Sequence, residues 1–427
     1  MSATAKTYAL DSMALPLPYM PVSKSSPLVF RLMVALTQEV NPATLQQAVR
    51  DLIERFPIMY TRLRPGFIWG KLEDAVDCDI VRRDEGVPCR PFHIKGEKPI
   101  LRVLYSGRSI AVECTHLTCD ANGAAVYLNS LAARYLELQG HAIEKSSIVL
   151  DCRDRPAACE LEDYYRAAYQ KTKQKSGPVV DPPAYQCLME RRPDVLRVTR
   201  AEIPIGALKN LLAEKYGGCT VTCYLCAVYA CAFLHLYEKK PDRKRPVRLA
   251  VSTNLRHFWD TGTLRNFVGL AHIDVAMDRR DYSFRDVLAL VRGEMEEKLT
   301  DEKQAAFLNQ SVRYLDIPVV KIIPGFLKRA GAALVFPVAE RRWPHTSTLS
   351  NLGYIPLPPS LAAHVESYAF IMGEMSGSRI TCTAVGCRNA MTVAFSAVNE
   401  STAIQDFCID FLQKDGLPVL RHSYLGA

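Results

Sequence analysis

At 427 residues, with 48% hydrophobic and 23% charged residues, the chain is long enough to bury a large core and to divide into two domains. Its net charge of +8 is modest for this length and the basic residues are mostly scattered, which argues against nucleic acid as a partner. The longest apolar stretch, residues 221–234, is shorter than the roughly 20 residues a membrane helix needs, so it reads as a buried core helix and no membrane span is expected.

In chain order, the amino terminus lacks the charged start, apolar middle and cleavage site of a secretory signal, which makes the cytoplasm the expected compartment. Apolar alternation predicts a strand over 28–35, and helical spacing predicts a helix over 44–55. Strands are expected near 59–63, 67–72 and 101–105. Residues 171–194 turn polar and carry Pro178, Pro182, Pro183 and Pro193, the composition of an exposed connection between domains. The second half repeats the mixture: a strand over 196–203, helices over 205–215 and 220–237, and strands over 247–253 and 271–276. Helices follow from 284 to about 329, then strands near 347, 368, 381 and 392, and a last helix over 401–413.

Fourteen cysteines in a chain this long read as reduced, small hydrophobic residues rather than as a disulfide framework. Cys223 and Cys226 form a C-x-x-C with Cys219 and Cys231 nearby, but they fall at helical spacing in an apolar run without a second such pair, and no metal is expected. The cluster from Lys239 to Arg245 lies in a loop. It reads either as a solvated turn or as a contact for the phosphates of coenzyme A or an acidic carrier protein.

The stretch that carries chemistry lies between two of these elements. Residues 108–115 place Ile110, Val112 and Cys114 on one face and Ala111, Glu113 and Thr115 on the other, as a strand does. After them comes His116-Leu-Thr-Cys-Asp120-Ala-Asn-Gly123, and then Ala124, Ala125, Leu128, Leu131, Ala132, Tyr135 and Leu136 recur at helical spacing. His116 therefore ends a strand, and Asp120 or Asn122 can cap the helix. An imidazole here can take a proton from an alcohol or amine at neutral pH. Spacing alone leaves a second reading open, a polar turn satisfied by its own side chains. No G-x-S-x-G, H-E-x-x-H, Walker A or G-x-G-x-x-G occurs in the chain.

His116-x-x-x-Asp120 followed by a small residue resembles the H-x-x-x-D-G signature of the superfamily that holds chloramphenicol acetyltransferase, peptide-synthetase condensation domains and plant BAHD acyltransferases. Residues 41–57 and 59–64 resemble the first helix and strand of condensation-type proteins. Thr263-Leu-Arg-Asn-Phe-Val-Gly269 and Thr348-Leu-Ser-Asn-Leu-Gly353 are similar to segments of stand-alone bacterial alcohol acetyltransferase-like members. The likeness runs from about Tyr8 to about Val419. Ala121 replaces the usual glycine, and Thr115 stands where condensation domains often carry a second histidine.

The resemblance implies an α/β chain of two chloramphenicol-acetyltransferase-like mixed-sheet domains, residues 1–175 and 196–427 joined by a linker at 176–195, with an active-site tunnel between them. It implies an acyltransferase of secondary metabolism that moves an acyl group from a CoA thioester to an alcohol or amine, acyl-CoA being a cosubstrate and no cofactor permanently bound. His116 would be the general base. Asp120 would turn away from substrate to an arginine, for which Arg62 is the candidate, the other reading being a surface arginine. Ser350 and Asn351 would donate to the thioester oxygen or, on the other reading, satisfy a strand-end turn. Gly123 and Asn266 would support the site, with Arg265 beside them. The alternatives are a condensation-like enzyme with a carrier-bound donor and a catalytically silent binding relative. The expected state is a monomer.

Overall fold

The computed structural model describes residues 5–20, 29–75, 77–92, 96–172, 181–186, 196–237, 245–276, 281–340, 342–373, 378–399 and 401–425. Residues 239–244 of the basic cluster lie outside these, as does the expected linker except for 181–186.

In the first half the strands are β1 (Thr7–Ala9), β2 (Val29–Leu36), β3 (Thr61–Arg64), β4 (Lys71–Asp74), β5 (Val81–Arg83), β6 (Arg102–Ser106) and β7 (Ser109–Thr115). The helices are α1 (Pro42–Asp51), α2 (Ala121–Leu138) and α3 (Tyr164–Thr172). The second half adds β8 (Arg197–Pro204), α4 (Ile205–Lys215), α5 (Val221–Tyr237), β9 (Val247–Asn254) and β10 (Val268–Val275). Four helices follow, α6 (Phe284–Lys298), α7 (Asp301–Asp316), α8 (Pro318–Ile322) and α9 (Gly325–Glu340). The chain ends with β11 (Ser347–Ile355), α10 (Pro359–Ala362), β12 (Val365–Met372), β13 (Ile380–Cys387), β14 (Ala390–Ala397), α11 (Ala403–Lys414) and β15 (Leu420–Leu425).

Among the described residues these strands make a small sheet, β1-β4-β3, and two larger mixed ones, β12-β2-β7-β6-β5 and β10-β9-β11-β13-β14-β8-β15. Each larger sheet has its own core. Phe30, Leu32 and Val34 of β2 and Ile110, Val112 and Cys114 of β7 alternate onto one face and bury it against α2. In the second core α5 is apolar all round and buries Tyr224, Tyr229 and Phe233, as a helix enclosed by its neighbours must. Cys219, Cys223 and Cys226 are buried there, and Cys231 packs against the same core. The described cysteines are free thiols, and no cluster of three or more metal-binding side chains occurs among the described residues.

Three elements depart from the sequence pattern. The strand expected at 67–72 lies instead at β4, because residues 65–70 form a turn around Gly66 and Gly70. The helix expected over 44–55 begins at Pro42, where the Asn41 side chain accepts from Ala43 N (2.9 Å) and Thr44 N (3.1 Å). The third is β12, which belongs by sequence to the second half but pairs antiparallel with β2. There it places Tyr368, Phe370 and Met372 in the first core. Of the linker, residues 181–186 run along the second sheet, held by Arg248 Nη1 to Pro182 O (2.6 Å) and Ala184 N to Trp343 O (3.1 Å).

Candidate active site at the seam of the two halves

β7 stops at Thr115 and the chain turns through His116 into α2. Thr118 N donates to Thr115 O (3.0 Å), and Thr115 Oγ1 accepts from Leu117 N (3.4 Å), so the turn closes on its own polar groups. Asp120 is the N-cap of α2, its Oδ1 accepting from Gly123 N at 2.9 Å. Ala121 opens the helix and has no positive φ, so the methyl group in place of the usual glycine causes no backbone strain. Gly123 answers a different need. A Cβ there would collide with the Leu264 carbonyl oxygen, where a loop of the second half crosses the first turn of α2.

That loop, between β9 and β10, organises the histidine. Asn266 Nδ2 donates to Asp11 Oδ2 (2.8 Å) and to the His116 carbonyl (2.7 Å). Two acceptors on one amide nitrogen fix which way the amide faces, and its Oδ1 meets His116 Nδ1 at 2.9 Å. An amide oxygen can only accept, so Nδ1 carries the ring proton and Nε2 keeps its lone pair. Among the described residues Nε2 has no hydrogen-bond partner. His116 itself is half-buried, with the Phe30 ring 5.1 Å away between centroids. Burial pushes its pKa below the ordinary 6.5, opposed by the Asn266 hydrogen bond and the Asp120 charge. The imidazole is therefore neutral at pH 7.

Asp11 completes this line from a segment near the amino terminus that carries no motif. It is fully buried, and burial raises its pKa from 3.8 to about 6, against the pull of Arg265, whose Nε lies 3.4 Å from Asp11 Oδ2.

Asp120 is fully buried, and its carboxylate is taken up by groups other than the imidazole. Its Oδ2 accepts from Arg256 Nη1 (2.8 Å) and from Phe267 N (2.9 Å). Arg256 also reaches Thr263 O through Nε (3.0 Å) and Arg265 O through Nη2 (2.8 Å), so one guanidinium ties the helix cap to the whole β9–β10 loop. Arg62 is thus not the partner of Asp120. It sits directly opposite Glu73 in the β3–β4 ladder and pairs with it there, Nη2 to Oε2 at 3.0 Å. Sequence reasoning named Asn266 but missed Asp11 and Arg256. The one trace of Arg256 is a basic residue two positions beyond the end of a strand, which is no signal by itself.

Asn351 is occupied locally: Nδ2 donates to Thr222 Oγ1 (2.9 Å) and Oδ1 accepts from Gly353 N (2.9 Å), spanning the irregularity in the β11–β13 pairing. Ser350 is half-buried. No hydrogen bond among the described residues joins either side chain to His116. β11 does run beside β9, whose terminal Asn254 lies 3.5 Å from Asn122 Oδ1. A cavity of about 190 Å³ opens between the two larger sheets, lined by Met33, Ala35 and Ala111 from the first and Val198 and Arg200 from the second. His116 is not among its lining residues.

The arrangement matches solved structures over nearly its whole length. The starter condensation domain of rhizomide synthetase RzmA, in complex with C8-CoA and Leu-SNAC, has a TM-score of 0.59 at 12% identity, covering 97% of each chain. TRI101 of F. graminearum, complexed with ethyl coenzyme A, has a TM-score of 0.58 at 11% identity, over 97% of this chain and 98% of that one. Polyketide synthase associated protein 5 from Mycobacterium tuberculosis gives 0.60 at 13% identity, over 95% and 96%. The chain has the two-lobed chloramphenicol-acetyltransferase-like condensation-domain fold. Two of these neighbours were crystallised with a coenzyme A derivative, C8-CoA in the first and ethyl coenzyme A in the second. No family model matches the chain, and no curated protein matches its sequence.

Proposed function

We propose that this protein transfers an acyl group from a CoA thioester to an alcohol or amine, with His116 Nε2 as the general base. The observation that carries the reading is the Asp11–Asn266–His116 line, which holds the ring in one tautomer with its basic nitrogen unpartnered and the residue still accessible. In the reaction the acceptor's proton passes to Nε2 as its oxygen or nitrogen bonds to the thioester carbon. The C–S bond then breaks, and the imidazolium returns the proton to the CoA thiolate. No covalent acyl-enzyme is needed. Asp120 orients the turn through Arg256 and takes no proton. Ser350, whose hydroxyl has no hydrogen-bond partner among the described residues, is our donor to the thioester oxygen.

The test is release of free thiol from a panel of acyl-CoAs in the presence of candidate alcohols and amines. His116→Ala should lower the rate by about 10²–10⁴-fold with the circular dichroism spectrum unchanged. Full activity in that variant, or no thiol release with any pair, would overturn the reading. Faster transfer from an acyl-phosphopantetheine carrier than from free acyl-CoA would reassign the donor to a carrier protein, which the presence of Thr115 in place of a second histidine makes the less favoured choice.

A further inference from the structure

Residues 317–342 combine two properties that a protein surface seldom carries together. Most of their side chains are apolar, and their charges are five basic residues against one acidic. In the fold this stretch forms α8 and α9, and among its side chains described up to residue 335 large apolar ones are left uncovered: Ile322 is 69% exposed, Phe326 66%, Leu334 79% and Val335 65%. Monomeric proteins rarely leave so continuous an apolar patch open to water unless it binds something.

The attachment of α9 shows which part is free. Gly325 N donates to Phe67 O (2.7 Å), and Lys328 Nζ donates to Ile68 O (3.0 Å) while lying 3.1 Å from the Trp69 ring centroid. The helix is thus pinned at its amino-terminal end, where exposed Phe67 extends the patch, and Leu334 and Val335 further along stand in solvent. Lys321, Arg329 and Arg342 of the same stretch are exposed, Lys321 in an ion pair with Asp316 (3.0 Å) and Arg329 donating to Pro18 O (3.5 Å).

We infer that α8 and α9 dock the protein on an anionic membrane surface, with α9 lying in the plane of the bilayer. A 16-residue helix spans about 24 Å, short of the roughly 30 Å hydrocarbon core. No described helix is long and apolar enough to cross. An interfacial helix instead buries its apolar side chains to headgroup depth while lysine and arginine reach the phosphates. A second copy fits less well, because a two-fold contact through this patch would set the same cations against one another. The inference is independent of the chemistry at His116.

The experiment is sedimentation of the full-length protein with vesicles of phosphatidylcholine, alone or mixed with phosphatidylserine. Binding should be roughly thirtyfold tighter to the mixed vesicles, as the two cations outside an ion pair, Arg329 and Arg342, provide, and should weaken as salt is added. Leu334→Glu with Val335→Glu should abolish pelleting with the circular dichroism unchanged, since both side chains are already in water. Failure to pellet with either vesicle, or equal pelleting of the double variant, overturns the inference. A concentration-dependent dimer in sedimentation velocity that the double variant loses would also overturn it, assigning the patch to a second copy.

Discussion

His116 works as a base only while it is unprotonated, and its surroundings favour that form: burial lowers its pKa from 6.5, and the Asn266 amide oxygen directs the remaining proton to Nδ1. The pH–rate profile for kcat/KM should therefore show an acid limb with its midpoint below 6.5; a midpoint above it would mean that another group titrates. Asn266→Ala would leave both tautomers open. It should lower kcat by about tenfold, the worth of one directing hydrogen bond, with KM nearly unchanged. Asp11 acts on stability with a definite sign. Because its folded pKa is raised from 3.8 to about 6, the folded protein holds a proton that the unfolded chain releases, and stability falls as pH rises through that window. His116 and Asp120 are legible in the sequence because a strand pattern stops and a helix pattern starts around them. Asp11 is not, since a lone acidic residue in a short segment has no period to mark it.

At the scale of elements, the β9–β10 loop is clamped to the first turn of α2 by Asp120 and Arg256. Removing the guanidinium leaves a fully buried carboxylate without its counter-charge, so Arg256→Ala should cost about 3–5 kcal/mol in chemical denaturation. Arg62→Ala should cost about 1 kcal/mol or less, because Arg62 is partly exposed and Glu73 keeps Arg64 as a second partner. Equal losses in the two variants would contradict this assignment of the clamp. The elements themselves follow from pattern: alternation in β2 and β7, helical spacing and an aspartate cap in α2, all-round apolarity in α5. Short strands such as β1 and β5, of three residues each, fall below the length at which alternation can be told from chance.

At the scale of the molecule, β12 joins the two halves. A fragment of residues 1–175 would keep β2 and α2 but lose the strand that covers the β2 edge, together with Tyr368, Phe370 and Met372 from the first core. It should aggregate, as light scattering would report, because an uncovered apolar edge strand pairs with other chains; a soluble, folded monomer would show that β12 is dispensable. By itself the sequence determined the mixed α/β character, most of the long elements and the turn that presents His116, since these depend on residues two to four positions apart. The tertiary structure decided which arginine meets Asp120, which carboxylate holds Asn266 and which sheet receives β12. Those partners lie 136, 255 and more than 300 residues apart in the chain, and no local period encodes a meeting at such distances.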